Sequence, residues 1–227
     1  MTVKRPFLKD IICLILFLFC CPVGANAADT LAVLPFENNS VTDAERYGPL
    51  AKGFAAMLTT DIGRKFPALK MVERTRIDAL LREMQLGMSG MVDEATAVRA
   101  GRILGSQHIA FGSFIVLGGQ VRIDARIIKV ETSEVVAAES VAGESGEILA
   151  LISRLAGNIA ASFKGWSVSA TLFDPAVKGK LDAALYFSRG LEALDRDLAE
   201  EAKMWFDKCV QADPLYRQQI ESLRVPD

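Results

Sequence analysis

The sequence predicts an α/β fold in which a mixed sheet packs as a sandwich against helices, followed by a small α-helical hairpin. In residues 28–163, short apolar segments alternate with amphipathic segments of helical period, which is typical of an α/β domain. Three consecutive apolar segments within that range are separated by short turns and predict an antiparallel meander. Residues 181–227 have helical period and contain a pattern similar to a tetratricopeptide repeat.

The composition limits the classes of function to consider. Of the 227 residues, 51% are apolar and the formal net charge at pH 7 is -2. These values suit one globular domain of ordinary size with a small addition. A chain this close to neutrality lacks the positive surface that nucleic-acid binding requires, so we expect no nucleic-acid partner.

Residues 1–27 contain the three parts of a secretory signal peptide. Basic residues come first, the apolar run Ile11–Cys20 follows, and the small-residue site Ala25-Asn26-Ala27 comes last. We therefore expect cleavage after Ala27 and a periplasmic protein whose association with the outer membrane is indirect. The alternative is a run retained as a membrane anchor, for which it is short.

The first predicted elements alternate between strand and helix. One strand covers Asp29–Phe36 and a second covers Leu69–Glu73. Between them, apolar residues at helical spacing predict a single helix over Glu45–Lys65, and Thr75 is predicted to cap the helix that comes next. The buried positions expected in that next helix are Ile77, Leu80, Leu81 and Met84.

A glycine-rich segment, which includes Gly87 and Gly90, precedes a predicted helix over Asp93–Leu104. A phosphate-binding loop needs a strand before it and a Gly-Lys-Ser/Thr ending. Here a helix precedes the glycines, no lysine follows them, and the carboxylates of Asp93 and Glu94 would repel phosphate while capping the helix. We interpret the segment as a joint between two helices, the second of which ends at Gly105.

The rest of the chain divides into a meander, a helix, a linker and a tail. In the central strand, apolar and polar residues alternate strictly, which predicts one buried and one solvated face. The predicted domain boundaries are 28–163 for the α/β domain, 164–180 for the linker and 181–227 for the tail. The predicted elements are strands His108–Leu117, Val121–Ile127 and Val135–Val141, turns Gly118–Gly119 and Glu131–Glu134, and a helix Glu147–Phe163 buried through Ile148, Ile152, Leu155, Ile159 and Phe163.

Residues with catalytic chemistry are scarce. His108 is the one histidine, and its place at the start of a buried strand predicts a structural role. Cys209 is the one cysteine outside the predicted signal peptide, so we expect no disulfide, and its small packing position predicts an unreactive thiol. We therefore predict no enzyme activity, no cofactor, and no zinc site built from histidine and cysteine, whereas a carboxylate metal site stays open. The remaining charged groups are expected to be solvated: the pairs Asp93/Glu94 and Glu200/Glu201, and the stripe Arg122, Asp124 and Arg126. For the stripe, the alternative is a surface that contacts another protein.

The tail resembles a single degenerate tetratricopeptide repeat when Pro214 is aligned with the terminal proline of that repeat. Ala193 and Arg189 depart from the pattern. A lone repeat cannot bury its own faces, so it must dock on the main domain, on another copy or on a partner. We predict a protein contact around Arg189 and Trp205. The residues that match the repeat are Tyr186, Gly190, Ala202, Phe206 and Cys209.

Three segments of the α/β domain resemble the family of the curli secretion channel, the CsgG-like proteins. The segments are LAVLPFENNS, VERTRIDALLREMQLGMSGMVDEATAVRAGRILGSQHIAFGSF and RIIKVETSEVVAAES, and the resemblance covers Asp29–Phe163. Relatives of that fold include flagellar outer-membrane accessory proteins and penicillin-binding-protein activator lipoproteins. The resemblance implies an envelope domain that associates with other proteins, including rings of its own kind.

Three features depart from the channel pattern. The family turn usually has glycine where Ser133 stands, a lipid-modified N-terminal cysteine is not evident, and the Gly118–Gly119 turn leaves no room for long membrane-inserting hairpins. We therefore expect an exported accessory or assembly factor that binds envelope proteins, forms no pore itself and can form a homo-oligomer. The alternatives are a reduced subunit of a curli-like export apparatus, and a small-molecule sensor or hydrolase near Glu37, Asn38 and Asn39.

Overall fold

The structure is a computed structural model that describes residues 29–84, 93–162 and 179–223. Predictions for residues 1–28, for Gly87 and Gly90, and for most of the predicted linker lie outside the described residues. The strands are β1 (Thr30–Val33), β2 (Glu37–Asn38), β3 (Lys70–Met71), β4 (His108–Leu117), β5 (Gln120–Lys129) and β6 (Glu134–Glu144). The helices are α1 (Ala44–Tyr47), α2 (Leu50–Lys65), α3 (Arg74–Glu83), α4 (Glu94–Leu104), α5 (Ile148–Ser162), α6 (Leu181–Asp195), α7 (Ala199–Ala212) and α8 (Arg217–Glu221), with short 3-10 turns at Ser145–Glu147 and Pro214–Tyr216.

The strands form one mixed sheet in the order β3-β1-β4-β5-β6, with β2 paired beside the second half of β4. β1 runs parallel to β3 and to β4, and β2 is also parallel to β4. β4, β5 and β6 are antiparallel. Parallel neighbours need crossover connections, which helices α2, α3 and α4 supply, whereas tight turns join the antiparallel neighbours. The predicted α/β class with a mixed sheet is confirmed.

The meander follows the sequence pattern closely. Gly118 and Gly119, with φ values of 58° and 81°, close the turn between β4 and β5. Positive φ is the region that glycine enters without steric cost, which is why this dipeptide makes a two-residue turn. In β5 the inward residues predicted from the alternation are all buried: Val121, Ile123, Ala125 and Ile127.

Helices cover both faces of the sheet. Helices α2 and α5 pack on one face and form a core with the inward residues of β4, β5 and β6. Helices α3 and α4 form a second core on the other face, through residues that include Ala97, Ala100 and Leu104. Asp93 caps α4 as predicted, because its side chain accepts a hydrogen bond from the amide of Thr96 at 2.8 Å.

The C-terminal helices dock on the α/β layer and share its first core. Helix α6 packs on α2, and its buried residues Leu185, Phe187 and Leu191 belong to the same cluster as the sheet. Docking begins inside the predicted linker, since the carbonyl of Gly179 accepts a hydrogen bond from the amide of Ile148 at 2.9 Å. The helical tail therefore shares the main hydrophobic core and is not a separately packed unit.

Two predicted boundaries are wrong in detail. The helix predicted over Glu45–Lys65 is divided into α1 and α2, because Gly48 and Pro49 intervene and a proline has no amide to continue the first helix. Thr75 does not cap α3, since the helix begins at Arg74 and the N-cap position is Glu73. Within the described ranges, none of the helices combines the length and apolar character needed to cross a membrane.

Candidate protein-interaction site

Helices α6 and α7 pack antiparallel and bring two aromatic rings together on their outward side. The rings of Tyr186 and Trp205 are stacked, with centroids 5.8 Å apart and planes inclined by 19°. Both side chains are half-buried, so each keeps part of its surface in water. Stacking of this kind contributes about 0.5–1.5 kcal/mol beyond the apolar area that it buries.

Two cations lie on the same indole ring. The guanidinium carbon of Arg189 is 4.9 Å from the centroid of the Trp205 ring, and the ammonium nitrogen of Lys208 is 4.5 Å from it. The spacing explains the placement, because Arg189 is one turn after Tyr186 on α6 and Lys208 is one turn after Trp205 on α7. We call Tyr186, Arg189, Trp205 and Lys208 the Trp205 patch.

The carboxylate of Glu201 borders the Trp205 patch. The indole Nε1 of Trp205 donates to Oε1 of Glu201 at 3.4 Å, and Arg196 forms an ion pair with the same oxygen at 3.0 Å. Within the described part of the chain, Arg189 and Lys208 form cation–π contacts and no carboxylate ion pair. The patch therefore carries two positive charges, and the Glu201 carboxylate beside it is already paired.

The inner side of the hairpin is filled by a second group of aromatic rings. The rings of Phe187, Phe206 and Tyr216 form a tilted cluster with centroids 6.1 and 6.2 Å apart. Gly190 allows this packing, because a Cβ at that position would lie 2.4 Å from the ring of Phe206. Trp205, next to the buried Phe206, is half-buried and packs against the edge of the same core. The match to a tetratricopeptide repeat stays a prediction.

The predicted contact residues Arg189 and Trp205 thus lie in direct contact. From the sequence, Tyr186 is predicted only as a match to the repeat pattern, and Lys208 is not predicted. The signal for Lys208 was local, since it stands one turn beyond Trp205, but its relation to α6 required the antiparallel pairing of the two helices.

His108 and Cys209 occupy buried positions, as their sequence context predicted. Burial lowers the pKa of His108, and the charge of Lys129 lowers it further against the opposing effect of Asp29. Burial also raises the pKa of the Cys209 thiol to about 12, with Asp213 adding to the effect. The thiol donates to the carbonyl of Ala183 at 3.2 Å, so it serves packing rather than nucleophilic chemistry.

The region around Glu37, Asn38 and Asn39 has a structural use. The Asn38 side chain donates to the carbonyl of Ala44 at 2.8 Å and accepts from the amide of Ser40 at 3.0 Å, which orders the turn before α1.

On the solvated face of β5, Arg122 and Asp124 form an exposed ion pair at 2.8 Å, and Arg126 is exposed beside them. Glu200 is exposed in the first turn of α7, and Glu94 has the same place in α4.

Four charged residues that the sequence did not predict to be neighbours form a cluster in the structure. Asp195 at the end of α6 accepts hydrogen bonds from Lys52 of α2, at 2.5 Å, and from Arg74 of α3. Asp78 of α3 is paired with Arg74 at 3.1 Å and with Lys52 at 3.7 Å. We call Lys52, Arg74, Asp78 and Asp195 the ion cluster. It ties the hairpin to two helices of the α/β layer.

The two carboxyl groups of the ion cluster have different surroundings. Burial raises the pKa of Asp78 above its usual value, because the nearby cations only partly offset desolvation. Burial acts on Asp195 in the same sense, but the hydrogen bond from Lys52 and the charge of Arg74 lower its pKa below its usual value. Both carboxyl groups contact both cations, and Asp195 has the lower pKa of the two.

The ion cluster borders a cavity of about 180 Å³ at the carboxyl ends of β1 and β3. Its walls combine apolar residues such as Val33 and Met71 with the hydroxyls of Thr59 and Thr60. In the part of the chain that the structure describes, no group of three or more histidine, cysteine, aspartate and glutamate residues is placed to hold a metal ion.

Residues 25–122 match the family described as "Curli production assembly/transport component CsgG". The matched range contains β1 to β4, the helices between them and the beginning of β5. No curated protein sequence matches the chain.

Three solved structures illustrate the distant structural similarity of the chain. TolB from Acinetobacter baumannii is 11% identical with a TM-score of 0.41, and the match covers 61% of this chain and 29% of the TolB chain. The LpoB C-terminal domain from Salmonella enterica is 16% identical with a TM-score of 0.36, covering 54% of this chain and 87% of that domain. A PelC dodecamer from Paraburkholderia phytofirmans is 13% identical with a TM-score of 0.37, and the match covers 60% of this chain and 86% of the PelC chain.

Proposed function

We propose that this protein is a non-enzymatic accessory or assembly factor of the bacterial cell envelope that binds another protein through the Trp205 patch. The match of residues 25–122 to a family described by curli assembly and transport supports an envelope role. The predicted signal peptide over residues 1–27 supports export of the chain to the same compartment.

The observation that carries this proposal is the composition and order of the Trp205 patch. Tryptophan, tyrosine and arginine are the residues most enriched among those that dominate binding energy at protein interfaces. In this patch the Trp205 ring is held by Tyr186 and by two cations. Side chains that are ordered before binding lose less conformational entropy when a partner arrives.

The hairpin that carries the patch is docked on the helices of the α/β layer. Helix α6 is packed on α2, and the ion cluster joins its end to α2 and α3. A partner bound at the patch would therefore be held in a defined orientation relative to the family-matched domain. That property suits a factor that positions one envelope component against another.

The direct test is site-specific photocrosslinking in intact cells. Met204 is 43% exposed and stands one turn before Lys208, so a photoreactive residue there would reach a partner at the patch. Ile103 on α4 is 54% exposed and serves as the matched control on another surface. We expect a defined crosslinked envelope protein from position 204 and none from position 103, whereas equal products at the two positions would contradict the site.

Affinity capture of variants gives a second, independent readout. Arg189→Glu and Trp205→Ala should each reduce recovery of the crosslinked protein, because one reverses a contact charge and the other removes the central ring. Leu215→Ala, at a residue 45% exposed outside the patch, is the control. Circular dichroism of each variant must show the wild-type helix content. Undiminished capture by folded Arg189→Glu protein would remove that residue from the site.

A second candidate function is supported by the family description itself. As a reduced subunit of a curli-like export apparatus, the protein would sit beside a separate channel. The two candidate functions predict different proteins crosslinked at position 204. A channel homologue would favour the export apparatus, a cell-wall or flagellar component would favour the accessory role, and a second copy of this chain would indicate a homo-oligomer.

A further inference from the structure

The two charged members of the Trp205 patch are both cations. Arg189 and Lys208 approach one indole ring from neighbouring helices, and neither forms a carboxylate ion pair among the described residues. The bordering carboxylate of Glu201 is already bonded to Arg196 at 3.0 Å and to the indole nitrogen. Burial raises the pKa of the half-buried Glu192, one turn after Arg189, above its usual value, against the opposing charges of Lys52, Arg196 and Arg189.

The contacts with the ring leave hydrogen-bond donors available. A guanidinium carries five N–H donors in a planar fork and an ammonium carries three, while an aromatic face occupies none of them as a full hydrogen bond. Carboxylates match the guanidinium fork and form charge-assisted hydrogen bonds with it. The Trp205 patch therefore presents two pre-positioned cations beside an apolar aromatic surface.

Building on the proposed function, we infer that the occupant of the Trp205 patch is an acidic segment of a partner protein in which glutamate or aspartate alternates with apolar residues. Its carboxylates would bind Arg189 and Lys208, and its apolar side chains would cover the exposed parts of Tyr186 and Trp205. A peptide can place single carboxylates at these two cations.

A continuous anionic surface fits the same region less well. The first turn of α7 carries Glu200 and Glu201, and Asp182 on α6 is exposed near the start of the hairpin. Glu201 and Asp182 are paired with Arg196 and Arg46, but the exposed carboxylate of Glu200 would repel a membrane of anionic lipids as it approached the patch. The charge pattern thus favours a protein segment, and lipid binding is an outcome that the experiment must separate.

Tryptophan fluorescence can report on the patch alone. The chain contains two tryptophans, so in a Trp166→Phe protein Trp205 is the only one. This protein, purified after export from cells that express the full chain, is titrated with a tryptophan-free peptide of repeated Glu-Glu-Phe triplets. We expect a saturable change in Trp205 emission that weakens as salt is added, since exposed charge pairs are screened. A peptide of Lys-Lys-Phe triplets should produce no such change.

Charge reversal provides the matched comparison. Arg189→Glu with Lys208→Glu should weaken binding of the acidic peptide by about tenfold or more, a factor expected when two attractive contacts become repulsive. Arg99→Glu with Arg102→Glu makes the same change in net charge at exposed positions of α4, and should leave binding within about twofold. Both double variants must retain wild-type circular dichroism.

Two results would overturn the inference. One is no emission change with the acidic peptide; the other is an emission change with phosphatidylglycerol vesicles and none with the peptide, which would assign the cations to lipid. If either occurs while crosslinking at position 204 still captures a protein, the proposed function stands and only the acidic chemistry of the partner is wrong. If crosslinking also fails, the proposed function fails with it.

Discussion

Gly53 of α2 and Ser188 of α6 mark the point where the helical tail meets the α/β domain. A Cβ at position 53 would lie 1.9 Å from Oγ of Ser188 and 3.0 Å from its Cβ. The Ser188 hydroxyl is fully buried and donates to the carbonyl of Ala184 at 2.7 Å, so it cannot rotate away without losing that bond. The absence of a side chain at position 53 is what permits the two helices to approach so closely.

Gly53→Ala should destabilise the protein although alanine favours helices. The added methyl group overlaps Ser188 and forces α6 away from α2, which should lower the free energy of unfolding by about 1–3 kcal/mol. Gly63→Ala in the same helix is the control, because its Cβ would meet only the flexible Met71 side chain at 3.4 Å. There the gain in helix propensity, about 0.5–1 kcal/mol, should offset the contact. Urea denaturation measures both.

The overlap itself can be tested with a double-mutant cycle. Ser188→Ala removes the atom nearest to the new methyl group, so the two substitutions together should cost less than the sum of their separate effects. Strict additivity would mean that Gly53 acts through something other than Ser188.

Asp195→Asn should destabilise the docked hairpin through the ion cluster. The Asp195 side chain is 8% exposed, and its loss leaves Lys52 and Arg74 to share Asp78 alone. Because Lys52 and Arg74 are only partly buried, the free energy of unfolding should fall by about 2 kcal/mol, which is less than the cost of breaking a fully buried ion pair. Asp182→Asn on the same helix breaks an exposed pair with Arg46 and should cost less than about 0.5 kcal/mol. Equal losses for the two substitutions would show that burial does not decide the effect.

His108 should make stability depend on pH. Its pKa in the folded protein lies below the usual 6.5, so between the two values the unfolded chain binds a proton that the folded protein does not. The stability that the neutral buried ring contributes is therefore present above pH 6.5 and is lost as the pH falls through that value toward the folded pKa.

The comparison with His108→Gln isolates this effect. The free energy of unfolding of the wild-type protein minus that of the variant should be smaller at about pH 5 than at about pH 8. Asp61 and Asp78, whose pKa values are raised mainly by burial, act with the opposite sign in both proteins and cancel in the difference. A difference that does not change with pH would assign the pH dependence to other groups.

Cys209 should resist thiol reagents until the hairpin opens. Its thiol is fully buried and has its pKa raised to about 12, so the thiolate is scarce in the folded protein. A chain beginning at Asp29 has Cys209 as its one cysteine, and an aromatic disulfide reagent should modify it at the rate of opening. Asp195→Asn should accelerate the modification and Asp182→Asn should not. Rapid modification of the wild-type chain would refute the buried placement.

Ser133→Gly should stabilise the turn between β5 and β6. Ser133 has a φ of 59°, in the left-handed region where a Cβ is unfavourable. Glycine at this position should raise the free energy of unfolding by about 0.5–1 kcal/mol after its entropy cost. The same change at Ser140, within β6, should lower it because strand interiors disfavour glycine. Thermal or urea denaturation of the two variants decides the matter.

Elements with a strong local signal were predicted almost to the residue. Helix α4 has both a capping aspartate, Asp93, and a left-handed glycine, Gly105, and its buried face repeats at helical spacing. Strand β4 runs from His108 to Leu117 as predicted. In each case the decisive interactions lie within a few residues of one another, so the sequence pattern contains them. The division at Pro49 was also a local signal, which the helical periodicity on either side obscured.

Contacts between distant segments had no such signal. Lys52 and Asp195 are separated by 143 positions, and nothing in the neighbourhood of either predicts the other. The same holds for Gly53 and Ser188, and for Lys208 reaching the ring that Arg189 also contacts. Such pairs depend on how α6 and α7 dock, which is set by the fit of the whole core.

The sequence by itself therefore determined the α/β class, the meander and the amphipathic helices, because hydrophobic period, caps and turn residues act over a few positions. It also predicted Arg189 and Trp205 as neighbours of a contact surface. Only the tertiary structure decided that the helical tail shares the main core, that four distant charges form the ion cluster, and that two cations converge on one indole. Those outcomes arise from packing and desolvation, which depend on the three-dimensional surroundings of a side chain rather than on its neighbours in the chain.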